Sequence, residues 1–83
     1  MNFLVRSPKA LGNVIRNERK KLGLSQAALG KRVNLPQAAI SFVENGHGAL
    51  KLENMLALLA ALDLDFQIMP RAKGSIQDFA DMF

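Results

Sequence analysis

Apolar residues recur three and four positions apart along most of the chain, and each run is bounded by residues that start or stop a helix. Ser7-Pro8 suits a helix start: serine can cap free amide groups, and proline fits the first helical position, where no donor is needed. Leu11, Val14, Ile15, Glu18 and Leu22 follow at helical spacing, their apolar members forming one core-facing stripe, and Gly23 ends the helix in a left-handed conformation. Ser25 caps a second helix over residues 26–33, with Leu29 and Val33 facing inward. Gly30 sits inside it at a cost of about 1 kcal/mol relative to alanine, which fits either a neighbouring helix backbone passing close or tolerance at a surface. Asn34 tolerates the left-handed region and turns the chain sharply, and Leu35 can plug the corner. Pro36 starts a third helix running to Glu44. Its inner face is Ala39, Ile40 and Val43, which leaves Gln37, Ala38, Ser41 and Phe42 outward. Asn45-Gly46 stops it, and His47-Gly48 continue as a loop. A fourth helix fits residues 52–62, with Leu52, Met55, Leu56, Leu59 and Leu62 as its stripe, widened by Leu58.

The period then changes. Leu64, Phe66 and Ile68 alternate with Asp65, Gln67 and Met69, which reads as one short strand ended by Pro70. A single strand leaves its backbone groups without partners. The same strand of a second subunit would satisfy them and bury Phe66 or its neighbours at the dyad; pairing with Phe3-Leu4-Val5 is the alternative within one chain. The expectation is therefore an all-α domain of four to five helices with a short C-terminal β-strand pairing across a homodimer through Leu64, Phe66 and Ile68. Residues 1–70 form one folding and dimerisation unit, and residues 71–83 form a tail. In that tail Ile76, Phe79, Ala80 and Phe83 can line one side of a short helix, suited to a partner pocket, to the chain's own core or to a flexible end. Phe79 and Phe83 are the partner-binding candidates.

Two short helices joined by a tight turn at Asn34-Leu35 cannot bury themselves alone. Packed against the first and fourth helices they make a helix-turn-helix, with the third helix presenting Gln37, Ala38 and Ser41. No bulky charge on that face hinders entry into a major groove. Glutamine can bond bidentately to an adenine edge, and alanine can touch a thymine methyl. Gln26, at the start of the second helix, lies near the backbone of such a duplex, and helix amino ends can meet phosphates. Outward glutamine and serine are equally ordinary solvent-facing residues.

Charge sharpens this picture. Residues 1–49 hold eight cations (Arg6, Lys9, Arg16, Arg19, Lys20, Lys21, Lys31 and Arg32) against Glu18 and Glu44, a balance of +6. Residues 50–83 hold Lys51, Arg71 and Lys73 against Glu53, Asp63, Asp65, Asp78 and Asp81, a balance of −2. The first half suits a polyanion or a solvated surface; the second adds nothing to that attraction. The 83 residues allow one domain with a modest core, so a partner subunit is a source of further stability. No apolar run approaches the ~20 residues that span a bilayer, and the start, MNFLVRSPK, has too short an apolar segment for a secretory signal. The absence of cysteine excludes a disulfide scaffold, a thiolate metal site and a cysteine nucleophile. A cytoplasmic protein without cofactor or metal is the expectation. The sole histidine, His47, lies in a glycine-flanked loop with no nucleotide loop or ligand cluster to make it catalytic, so an enzyme is not expected.

The stretches LSQAALGKRV and QAAISFVENG resemble the Xre/Cro repressor type of helix-turn-helix domain, with ALGNVIRNERKKLG similar to that family's first helix and LENMLALLAALDLDF to its fourth. The resemblance covers roughly residues 8–66. It implies base reading by Gln37, Ala38 and Ser41, with Phe42 where a polar base-contacting residue is frequent. It also implies backbone or supporting contacts from Gln26, with Ser25, Lys31, Arg32 and Asn45 alongside, and a structural pair between Arg19 and Glu44. The chain departs from the family at Gly30, Asn34 and Pro36, where alanine, glycine and a serine or threonine cap are common. Proline cannot cap through a side chain, and Phe42 suits thymine methyls, sugar edges or a dimer partner.

Among subgroups, the strand LDLDFQIM directly after four helices is similar to HipB-like antitoxins. That likeness implies a homodimer that binds a palindromic operator, represses its own operon and restrains a HipA-like serine/threonine kinase toxin. The competing reading is a protein-interaction module of the same fold that binds a partner without specific DNA reading.

Overall fold

Four helices form: α1 (Pro8–Lys21), α2 (Gln26–Val33), α3 (Gln37–Glu44) and α4 (Leu52–Ala61). The computed structural model describes residues 2–71. Each α1 and α2 start follows from a serine. Ser7 Oγ accepts from the Ala10 N–H at 3.0 Å, and Ser25 Oγ accepts from the Ala28 N–H at 3.0 Å. Pro36 and Lys51 precede α3 and α4 in extended conformation and supply no side-chain cap.

All four helices end alike. A residue at positive φ follows each last turn: Gly23 (71°), Asn34 (59°), Gly46 (87°) and Asp63 (60°). The next residue then donates its N–H back to a carbonyl five positions earlier. These bonds run from Leu24 to Arg19 (3.1 Å), Leu35 to Gly30 (2.8 Å), His47 to Phe42 (3.0 Å) and Leu64 to Leu59 (2.8 Å). This satisfies carbonyls that a helix end otherwise leaves open. Leu24, Leu35 and Leu64 then pack against the core, so three of the four endings are also core plugs.

The core consists of Ile15, Leu29, Ile40, Val43, Leu58 and Leu62, drawn from all four helices and the residue that ends α4. Burial of such side chains contributes about 1.5–3 kcal/mol each relative to exposure. The apolar stripes are only partly spent on it. Leu22, expected on the α1 stripe, is 48% exposed because it lies beyond the last turn. Leu52 and Leu56, expected on the α4 stripe, are exposed, while Leu58 and Leu59 are buried.

Two glycines set close approaches. A Cβ on Gly12 would collide with the carbonyl oxygen of Val43 and lie 2.7 Å from that of Glu44, so α1 and α3 touch backbone to backbone. At Gly30 the collision is with the Leu35 carbonyl in the turn, and the Ile40 side chain lies 3.6 Å away. The close neighbour of Gly30 is thus the turn rather than a helix backbone, and the helix contact falls at Gly12, which hydrophobic spacing did not single out.

No strand forms among the described residues. Residues 64–70 and Phe3–Val5 do not pair, so the alternative of closure within one chain is not realised. Phe66, Ile68 and Met69 are exposed. Phe79 and Phe83 lie outside the described residues.

Candidate nucleic-acid interface

The buried end of α3 is built around one carboxylate. Glu44 is 1% exposed and lies against α1 and α2. Arg19 donates to it twice, from Nε to Oε2 at 2.6 Å and from Nη2 to Oε1 at 3.0 Å, and its Nη1 donates to the Leu24 carbonyl at 2.7 Å. Such paired, geometrically matched bonds are the strong kind. Arg16 Nε adds a longer bond to Oε1 at 3.4 Å, and Gln26 Nε2 donates to the same oxygen at 3.2 Å. Burial pushes the Glu44 carboxyl up, but the bonds from Arg19 and Gln26, the Arg19 charge and the Arg16 bond outweigh it and hold the group below its ordinary value. The same hydrogen bond raises Arg19, against a smaller opposing effect of burial. Both groups stay charged at neutral pH.

The carboxylate fixes hydrogen-bond polarity outward to the surface. An ionised carboxylate only accepts, so Gln26 must turn its amide nitrogen inward. Its Oε1 is then left facing Gln37, whose Nε2 donates to it at 3.4 Å. Gln37 keeps a second N–H and its own Oε1 on the exposed start of α3. A neighbouring donor and acceptor on one amide match the N6 and N7 edge of adenine. A second line runs from α1: Arg16 Nη2 donates to Asn45 Oδ1 at 2.9 Å, and Asn45 Nδ2 donates to Ser41 Oγ at 3.4 Å.

Gln37, Ala38, Phe42 and Asn45 are exposed and Ser41 is half-buried. Ala38, Ser41, Phe42 and Asn45 share one face of α3 by their spacing of three and four. Gln26 is half-buried between Glu44 and Gln37, while Ser25, Lys31 and Arg32 are exposed at the two ends of α2. The Gln37 and Ala38 amide groups at the start of α3 have no side-chain cap and can meet an anion, while those of Ala39 and Ile40 donate to the Pro36 carbonyl. Arg16 and Gly12 belong to this arrangement and were not expected in it. Their signal is visible afterwards: positions 12, 15, 16 and 19 lie on one side of α1, so a glycine and an arginine there face α3.

His47, which no sequence feature assigned a role, packs edge-on against Phe42, with ring centroids 5.2 Å apart and planes at 89°. Among the described residues no group of His, Asp or Glu could hold a metal ion, and no helix is long and apolar enough to cross a membrane.

Residues 15–69 match the helix-turn-helix family. The chain is 48% identical over 52 residues to repressor protein C2 of Salmonella phage P22, a match covering 63% of this chain and 24% of that protein. It therefore spans about a quarter of that relative's length. Among solved structures, it resembles the protein in a complex of a HipB variant with an O2 20mer, at a TM-score of 0.78 and 28% identity over 87% of this chain and 100% of that one. A HipA-HipB-O2-O3 complex contains a similar chain, with a TM-score of 0.75 and 28% identity over 83% of this chain and 97% of that one.

Proposed function

The chain belongs to the helix-turn-helix family, of Xre/Cro type, and on that footing we propose that it is a sequence-specific DNA-binding repressor acting as the antitoxin of a HipA-like kinase toxin. The observation that carries this reading is the outward face of α3, whose Gln37 amide is oriented through Gln26 by the buried Glu44 carboxylate. A base-reading amide is most useful when its donor and acceptor are set before the duplex arrives, because less freedom is then lost on binding. Gln37, Ala38, Ser41 and Phe42 read bases. Gln26, Ser25, Lys31, Arg32 and Asn45 meet the backbone or support the readers, and Arg19–Glu44 holds α1 to α3.

Two such faces read a palindrome when two copies associate. Leu64 packs on its own core, whereas Phe66 and Ile68 are exposed and need cover. A strand shared between two copies across residues 64–69 would supply it, and would set the two α3 helices one helical turn, about 34 Å, apart on one side of the duplex. Residues 1–70 are then the DNA-binding and dimerisation unit. The toxin partner is supported by the HipA-HipB-O2-O3 structure, which contains a chain matched over 97% of its length by this one. Phe79 and Phe83 of the tail are the candidate contacts with it.

Selection of duplexes from a random pool, run beside a mass measurement in solution, tests this. A dimer that enriches a palindrome supports the reading; a monomer with no preferred sequence ends it. The exposed apolar residues Leu52, Leu56, Phe66 and Ile68 also suit a module that binds only protein. That alternative leaves feeble, sequence-blind duplex binding across a salt titration.

A further inference from the structure

The four helix endings share one backbone motif, but α3 departs from the others in its side chains. At the ends of α1, α2 and α4 the residue after the positive-φ position is a leucine packed on the core. At the end of α3 it is His47, which is exposed and packs on Phe42, itself 59% exposed. The His47 N–H bonds the Phe42 carbonyl at 3.0 Å, so one backbone bond brings the two rings together. An apolar contact between these two motif positions ordinarily seals a helix end. Beside the rings lies an open, mainly apolar recess of about 310 Å³, lined by Ala39, Phe42, Val43, His47, Ala49 and Leu50.

Phe42 shares its face of α3 with Ala38, Ser41 and Asn45. A phenyl ring there has no hydrogen bond to offer a base. The apolar group on a major-groove base edge is the 5-methyl of thymine. The geometry points to Phe42 as a reader of a thymine methyl and to His47 as the residue that positions its ring. This inference rests on the repressor reading above. A ring held in advance by His47 loses less freedom when the methyl meets it.

The test uses the palindrome selected from the random pool, with each thymine replaced in turn by deoxyuridine, which removes only the methyl. For the unaltered protein, one symmetric pair of thymines shows a loss of about fourfold per half-site, the weight of one methyl group. Phe42→Ala abolishes that difference. His47→Ala reduces it to less than about twofold, while His47→Phe, which keeps an aromatic edge, retains it. All three variants keep the helical content and unfolding midpoint of the unaltered protein by circular dichroism, which a general loss of folding would not allow. The inference is overturned if no thymine responds, or if Phe42→Ala still distinguishes thymine from uracil. If Phe42→Ala weakens palindrome binding while deoxyuridine changes nothing, the ring touches deoxyribose; the methyl reading then fails and DNA reading stands. If the pool yields no preferred duplex, the repressor reading fails and this inference falls with it.

Discussion

At the residue scale, Glu44 has the largest consequences. Replacing it with glutamine leaves the Arg19 guanidinium buried without its charge partner, a change that costs about 3–5 kcal/mol in comparable pairs. The carboxyl is held below its ordinary value in the folded chain, against roughly 4.3 when unfolded. Its stabilisation is therefore fully present above that unfolded value and is lost as pH falls through the folded one. Urea unfolding followed on acidification below about pH 4.3 should show a smaller further loss of stability in Glu44→Gln than in the unaltered protein; equal slopes would mean that the carboxylate is not held in this way. The Arg19–Glu44 pair was legible through family resemblance. The Arg16 bonds to Glu44 and Asn45 were not, because they depend on where α1 crosses α3, and nothing local encodes a contact between positions 28 and 29 residues apart.

At the scale of elements, the ends were more legible than the faces. Ser7, Ser25, Gly23 and Asn34 each act through a backbone requirement that belongs to one position, and each is found where that requirement arises. Asp63 was missed as a helix end because aspartate occupies the left-handed region less often than glycine or asparagine. The α4 stripe fixed a helix but not its buried side: with leucine at positions 52, 56, 58, 59 and 62, apolar residues cover more than one face. Gly12 was missed since a glycine among apolar neighbours does not say what approaches it. Gly12→Ala forces two α3 carbonyls aside and should destabilise the fold by about 1–3 kcal/mol, as overpacking does, measured by chemical denaturation. An unchanged midpoint would mean that α1 and α3 lie further apart. Ser25→Ala should cost about 1 kcal/mol by the same measurement, the worth of a lost cap.

At the scale of the molecule, two features need a second component. Eight of the eleven cations lie in the first half of the chain, on α1 and α2 and just before them, and Leu52, Leu56, Phe66, Ile68 and Met69 are exposed apolar residues of the second, beside Phe3, Leu4, Val5, Leu22 and Phe42 in the first. The first suits a duplex and the second suits another copy of the chain. The alternating period at 64–69 predicts a strand, but a strand also needs a partner in register, and none forms there among the described residues. Replacing Phe66 and Ile68 with aspartate should halve the mass seen by light scattering. It should also weaken palindrome binding by at least ~100-fold, the lower end of what linked binding modules gain, with the four-helix fold intact by circular dichroism. A dimer that survives both changes would place the association elsewhere.

The central claim is that Gln37 reads a base from an orientation fixed by Gln26 and Glu44. The direct measurement is the dissociation constant of the unaltered protein and of Gln37→Ala on the selected palindrome and on a scrambled duplex at one salt concentration. A loss of about 1–3 kcal/mol per half-site on the palindrome, with little change on scrambled DNA, is the expected result. An equal loss on both duplexes would contradict it, since Gln37 would then be touching only what every duplex shares.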